Sequence, residues 1–101
     1  SYVRSFPKSE FADNAQYWLG EAFYVTRDYE SAVAAFGAVS QRWPDSAKAP
    51  GAMLKLGYSQ YELKRYEDAK QSFAQLVARF PGTEAAKLAQ ERMKRVIAEG
   101  R

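Results

Sequence analysis

The chain has 101 residues, the length of one domain, with 47% apolar and 27% charged residues, a balance that excludes a disordered polymer. It has no cysteine and no histidine, which removes disulfides, thiolate chemistry, and the commonest general base and metal ligand. The net charge of +3 is mild and its signs are interspersed; the densest basic stretch, Glu91 to Arg95 with Arg101, lacks the broad aromatic-interleaved face expected for nucleic acid. No apolar run reaches the length of about 18 residues needed to span a bilayer, so no direct membrane insertion is expected. Ser1 is not a methionine and the chain opens inside a repeat. It reads as an excised domain, so the missing signal peptide says nothing of localisation.

In chain order, residues 1–6 come first. "SYVRSFP" aligns with the tail of a later helix, "VSQRWP", so 1–6 reads as the end of a preceding repeat. Residues 7–43 and 44–80 then align at an offset of 37 without a gap, with 12 of 37 positions identical. Pro7/Pro44, Ala12/Ala49, Leu19/Leu56, Gly20/Gly57, Tyr24/Tyr61, Tyr29/Tyr66 and Phe36/Phe73 are among them. Self-similarity at this period predicts a solenoid of stacked units.

Each repeat reads as two helices. In repeat one, the first carries its core stripe at Ala12, Ala15, Leu19, Ala22 and Phe23; the second carries Tyr29, Ala32, Val33, Phe36, Val39 and Trp43. Thr26 to Asp28 separates them, with Asp28 as the expected N-cap. "WPDS" and "FPGT" close the repeats: proline stops one helix, and Ser46 or Thr83 is expected to cap the next. Gly20 and Gly57 fall mid-helix, where glycine costs about 1 kcal/mol relative to alanine. They predict close approach of another backbone, with Ala32 and Ala69 facing them. Phe36 and Phe73 are expected to fill the space between one repeat and the next. Residues 81–101 supply one more first helix, with Ala86, Ala89 and Met93 in register and Lys94 at the glycine position, so it reads as a terminal helix over repeat two.

The residues Leu19-Gly20, Ala32, Phe36 and Pro44, and again Leu56-Gly57, Ala69, Phe73 and Pro81, resemble the tetratricopeptide repeat. The early tryptophan of that pattern is Gln16 and Met53 here, its later tyrosine is Phe23 and Gln60, and the period is 37 rather than 34. The extra residues fall between the proline and the Leu-Gly pair, lengthening each first helix by nearly one turn. The fold expected is all-α, a tetratricopeptide-like right-handed superhelix of about five helices plus an N-terminal stub.

"DNAQYWLGEAFY", "PDSAKAPGAMLKLGYSQYEL" and "AAKLAQERM" look more particularly like the C-terminal domain of the Tol–Pal-associated YbgF (CpoB) family. That resemblance implies a periplasmic protein with a signal peptide and a trimerising coiled coil ahead of this domain. It further implies association with TolA, a possible link to a peptidoglycan synthase, and a role in coordinating peptidoglycan synthesis with outer-membrane constriction during cell division. Outer-membrane assembly lipoproteins of the same repeat class share the long period and the "FP" and "WP" endings, which leaves a scaffold role of that kind as an alternative, and self-association as another.

No catalytic constellation is present in the sequence. Glu67-Asp68 opens a helix, where acidic side chains complement the macrodipole, and Glu10 and Asp13 read the same way. There is no glycine-rich phosphate loop, and no cofactor or metal is expected.

A binding surface is the better expectation. Stacked helix pairs form a concave face, and in this repeat class the first helices line it. The residues left on that side are Asn14, Tyr17, Trp18, Glu21 and Tyr24; then Leu54, Lys55, Tyr58, Tyr61 and Glu62; then Leu88, Glu91, Arg92 and Arg95. Tyrosine and tryptophan suit a surface that is both apolar and hydrogen-bonding, and are enriched among interface hot spots. Tyr17 and Tyr24 could equally pack between neighbouring first helices; Tyr58 and Tyr61 lean to the surface; Tyr29 and Tyr66 read as structural. Tyr17 and Leu54 occupy positions where the repeat class can clamp a terminal carboxylate with basic side chains, so that clamp is not expected. The partner-facing set is therefore Asn14, Tyr17, Trp18, Glu21, Tyr24, Leu54, Tyr58, Tyr61 and Arg95.

Overall fold

The computed structural model describes the backbone from Lys8 to Arg101 and the side chains from Ala12 onward; the stub assigned to residues 1–6 lies outside the described residues. Five α-helices follow one another: α1 Lys8–Val25, α2 Tyr29–Arg42, α3 Ala49–Glu62, α4 Tyr66–Arg79 and α5 Glu84–Ala98. Each helix packs on its neighbours in sequence, and α3 also touches α5. The result is a flat stack of 53 × 30 × 16 Å. Among the described residues there is no strand, and no helix is long and apolar enough to cross a membrane.

Two buried clusters hold the stack. One joins Ala32, Phe36 and Val39 of α2 to Ala52 of α3, with Tyr17, Phe23, Tyr24 and Leu56 packed against it. The other joins Met53 and Leu54 of α3 to Ala69, Phe73 and Leu76 of α4 and Ala89 of α5. Phe36 and Phe73 thus fill the inter-repeat space as their spacing predicts. Both are fully buried, each contributing about 1.5–3 kcal/mol through removal of apolar area from water.

The mid-helix glycines answer to these rings rather than to a second backbone. A Cβ on Gly20 would lie 2.7 Å from the Phe36 ring, and one on Gly57 would lie closer still to the Phe73 ring. The two departures from the repeat pattern also find partners. The Gln16 amide donates to the Ala35 carbonyl at 3.3 Å, tying α1 to α2. The Ser72 hydroxyl donates to the Gln60 side chain at 2.6 Å, tying α4 to α3. Met53 is 2% exposed and simply fills core.

The helix ends follow local chemistry. Asp28 accepts from the Ser31 N–H at 3.3 Å and Thr83 from the Ala86 N–H at 3.1 Å, as N-caps do. Ser46 does not cap α3. Its hydroxyl accepts from the Lys48 N–H at 2.9 Å within the preceding turn and donates to Asp13. The helix starts at Ala49, with Pro50, which has no N–H to satisfy, in its first turn.

The first helices close differently from the second. The Asp28 N–H reaches the Phe23 carbonyl at 2.8 Å and the Arg27 N–H the Tyr24 carbonyl at 3.0 Å; Arg65 to Gln60 and Lys64 to Tyr61 repeat the pattern at 2.8 and 2.9 Å. This is the Schellman arrangement, and it places Arg27 and Lys64 in the left-handed region at φ 66°. Gly100 takes that place at the end of α5, at φ 81°.

The core stripe expected on α1 is corrected. Ala15, Leu19 and Ala22 are exposed, Leu19 by 46%. The matching residues of α3, Ala52 and Ser59, are fully buried and Leu56 half-buried, with Ala52 and Leu56 packed against α2. On α1 the same flank has no helix against it among the described residues.

Candidate protein-interaction surface

The first helices α1, α3 and α5 lie side by side and pair through a fixed stagger. Glu21 and Lys55, separated by 34 positions, form an ion pair at 2.6 Å. The same separation relates Tyr17 to Gly51, whose added Cβ would sit 3.6 Å from the ring, and Tyr58 to Arg92. Neighbouring first helices are therefore offset by about one turn from the register of the 37-residue repeat.

The seam between α1 and α3 holds most of the residues expected to face a partner. Tyr17 packs edge-on to Phe36 at 5.6 Å and to Trp18 at 5.4 Å, and its phenol donates to Glu21 at 3.2 Å. Burial, then the charge of Glu21 and the hydrogen bond to it, push the Tyr17 phenol up to about 12. Lys48 lies over both rings, 4.9 Å from Tyr17 and 5.2 Å from Trp18. Tyr24 meets Tyr29 edge-on at 5.5 Å and carries Lys55 over its ring at 5.6 Å. Burial first, then the Glu62 carboxylate, raise its phenol above the ordinary range, against a lowering by Arg92. Both tyrosines, whose role the sequence left open, are half-buried in helix packing while keeping part of their surface open.

The seam between α3 and α5 is built on Tyr58. Its ring meets Phe73 edge-on at 6.0 Å, and the Arg92 guanidinium stacks 4.3 Å above it. Tyr58 is thus half-buried rather than a free surface aromatic. Tyr61, also half-buried, meets Tyr66 edge-on at 5.3 Å and donates to Glu99 at 2.7 Å; that hydrogen bond is the main cause raising its phenol. Tyr29 and Tyr66 recur as the ring partners of Tyr24 and Tyr61, in keeping with the structural role expected for them.

Leu54 is corrected. It is 6% exposed and belongs to the core with Phe73 and Ala89. The residue assigned inward by the repeat offset turns under the seam, because the stagger gives that place to Lys55 and Gly51. Asn14, Trp18 and Arg95 are exposed, Trp18 by 54%, and Glu21 is half-buried in its ion pair. Lys48 was missed: it precedes α3 and becomes part of the surface only through the stagger, which repeat alignment alone does not reveal.

Among the described residues no three His, Cys, Asp or Glu side chains converge as a metal site would require. The arrangement is a seamed strip of tyrosines and paired charges on stacked helix pairs, the class of an α-helical repeat domain. The tetratricopeptide repeat model matches residues 14–46 and 51–83, most of the chain, and the protein belongs to the tetratricopeptide repeat family. Such repeats generally mediate protein–protein interaction. A comparison with curated proteins found no significant match.

Proposed function

We propose that the domain is a non-catalytic interaction module that holds a partner segment along the α1–α3–α5 face, and that it serves as the TolA-binding repeat domain of a periplasmic Tol–Pal-associated protein in cell division. One observation carries the first part: four tyrosines, Tyr17, Tyr24, Tyr58 and Tyr61, stand along this face with rings fixed by edge-on aromatic neighbours. A side chain already immobilised loses little entropy on binding, which is where interface aromatics gain their affinity. The second part is supported by the resemblance of "DNAQYWLGEAFY" and "PDSAKAPGAMLKLGYSQYEL" to the YbgF family and by the 37-residue period.

An NMR titration with the periplasmic part of TolA tests both. Shifts clustered on Tyr17, Lys55, Tyr58 and Tyr61 are expected. Shifts confined to α2 and α4 would keep the partner and discard the face; an unchanged spectrum would discard the TolA assignment. Self-association is the second reading, favoured by the apolar flank of α1, where Trp18, Leu19 and Val25 are 54%, 46% and 72% exposed. A sedimentation mass that rises with concentration would favour it.

A further inference from the structure

We infer that the cleft between α3 and α5 selects partner segments bearing acidic side chains next to an apolar one. This rests on reading the first-helix face as the partner surface. The cleft, about 310 Å³, is lined by Tyr58, Leu88, Glu91, Arg92 and Arg95. The four α5 residues are related by three-residue (Leu88 to Glu91, Arg92 to Arg95) and four-residue (Leu88 to Arg92, Glu91 to Arg95) spacings and form one stripe along that helix. Tyr58 and Leu88 give it an apolar floor; two guanidiniums against one carboxylate leave it net positive.

Four of the cations elsewhere on the described surface are neutralised by a carboxylate, whereas others, such as Lys48 and Arg79, are not. Lys55 is paired with Glu21, Arg65 with Glu30, Lys70 with Glu67 and Arg101 with Glu99. Arg92 and Arg95 have no carboxylate within salt-bridge distance among the described residues. Arg92 is held by its stacking on Tyr58, itself fixed against Phe73, and it has no carboxylate partner among the described residues. A planar guanidinium pre-set in this way binds carboxylates at a smaller entropic cost than a mobile lysine. Arg95 stands one turn further along, at roughly 5–6 Å between Cβ atoms. That spacing fits two acidic side chains of one segment, so the carboxylates we assign are those of side chains rather than of a chain terminus.

The test uses two blocked peptides, one alternating glutamate with leucine and one alternating glutamine with leucine, titrated by NMR. The glutamate peptide is expected to bind about tenfold tighter, with shifts on Tyr58 and Leu88. Arg92→Gln with Arg95→Gln should erase the preference. Arg95→Gln alone, at an exposed position that leaves the Arg92–Tyr58 stack in place, should reduce it. Equal binding of the two peptides, binding of neither, or a preference that survives the double variant overturns the inference. So does a glutamine peptide with a free C-terminal carboxylate that matches the glutamate one, since the cleft would then read chain ends. If TolA shifts Tyr17 and Tyr24 and leaves Arg92 and Arg95 untouched, the interaction face stands and the acidic selectivity falls.

Discussion

Three glycines in helices of the same stack illustrate how little residue type alone decides. Gly57 lies under the Phe73 ring, Gly20 under the Phe36 ring, while a Cβ on Gly37 would meet nothing within 4 Å. Gly57→Ala gains helix propensity of about 1 kcal/mol, but it must move an aromatic ring in a closed core, and overpacking of that kind costs about 1–3 kcal/mol or more. A lower urea midpoint is expected for Gly57→Ala and a higher one for Gly37→Ala, by about 0.5–1 kcal/mol. The sequence marks Gly20 and Gly57 as sites of close approach but assigns the approach to another backbone, which the structure corrects. It did not show that the neighbour is a ring, since a phenylalanine later in the repeat reads equally well as filler of the next interface, and here it is both. Tyr17 adds a pH dependence. Its folded pKa, about 12, lies above the ordinary phenol value of 10.0, so its share of stability is complete below about pH 10 and is lost as pH rises toward 12. Tyr17→Phe should leave an alkaline unfolding profile flatter across that window; a profile identical to the parent's would show that the phenol is not coupled to folding.

At the scale of the helix, starts and stops were partly legible. Asp28 and Thr83 cap as their residue types require, whereas Ser46, the same kind of signal, is drawn into a turn by Asp13 of the previous repeat. No local pattern contains that contact. The break at Thr26 to Asp28 falls where the sequence places it, but the form of the ends of α1 and α3 was not legible, because Arg27 and Lys64 adopt a backbone conformation for which glycine is the usual choice. A side chain there costs roughly 1–2 kcal/mol, partly offset in a glycine variant by greater chain freedom when unfolded. Lys64→Gly is therefore expected to stabilise the domain by about 0.5–1 kcal/mol in urea titration with an unchanged slope. No gain would mean that Lys64 makes a contact compensating for its conformation. Much of the candidate surface was also readable at this scale, since Tyr17, Glu21, Tyr24, Tyr58 and Tyr61 do line the first-helix seams. Leu54 was misplaced and Lys48 missed for one reason: the stagger between neighbouring helices follows from how side chains interlock across the seam, which the repeat period does not encode.

Across the whole molecule, stability is shared between units that touch only their neighbours. Helix α3 is packed by α2, α4 and α5, while α1 leaves Ala15, Leu19 and Ala22 open along one flank. Hydrogen exchange should therefore show the strongest protection in α3 and α4 and earlier opening in α1. Equal protection in α1 and α3 would show that the stack opens only as one body. The contact of Phe36 on Gly20 and of Phe73 on Gly57 lies within a single helical pair. Each can close before any other repeat has formed, and the loop it closes is short. Contacts of such low order favour rapid folding, with nucleation at either pair and growth outward from it. A weakened lock in one pair would then move the starting point of folding to the other, so the route by which the chain reaches its structure can change while the structure itself does not.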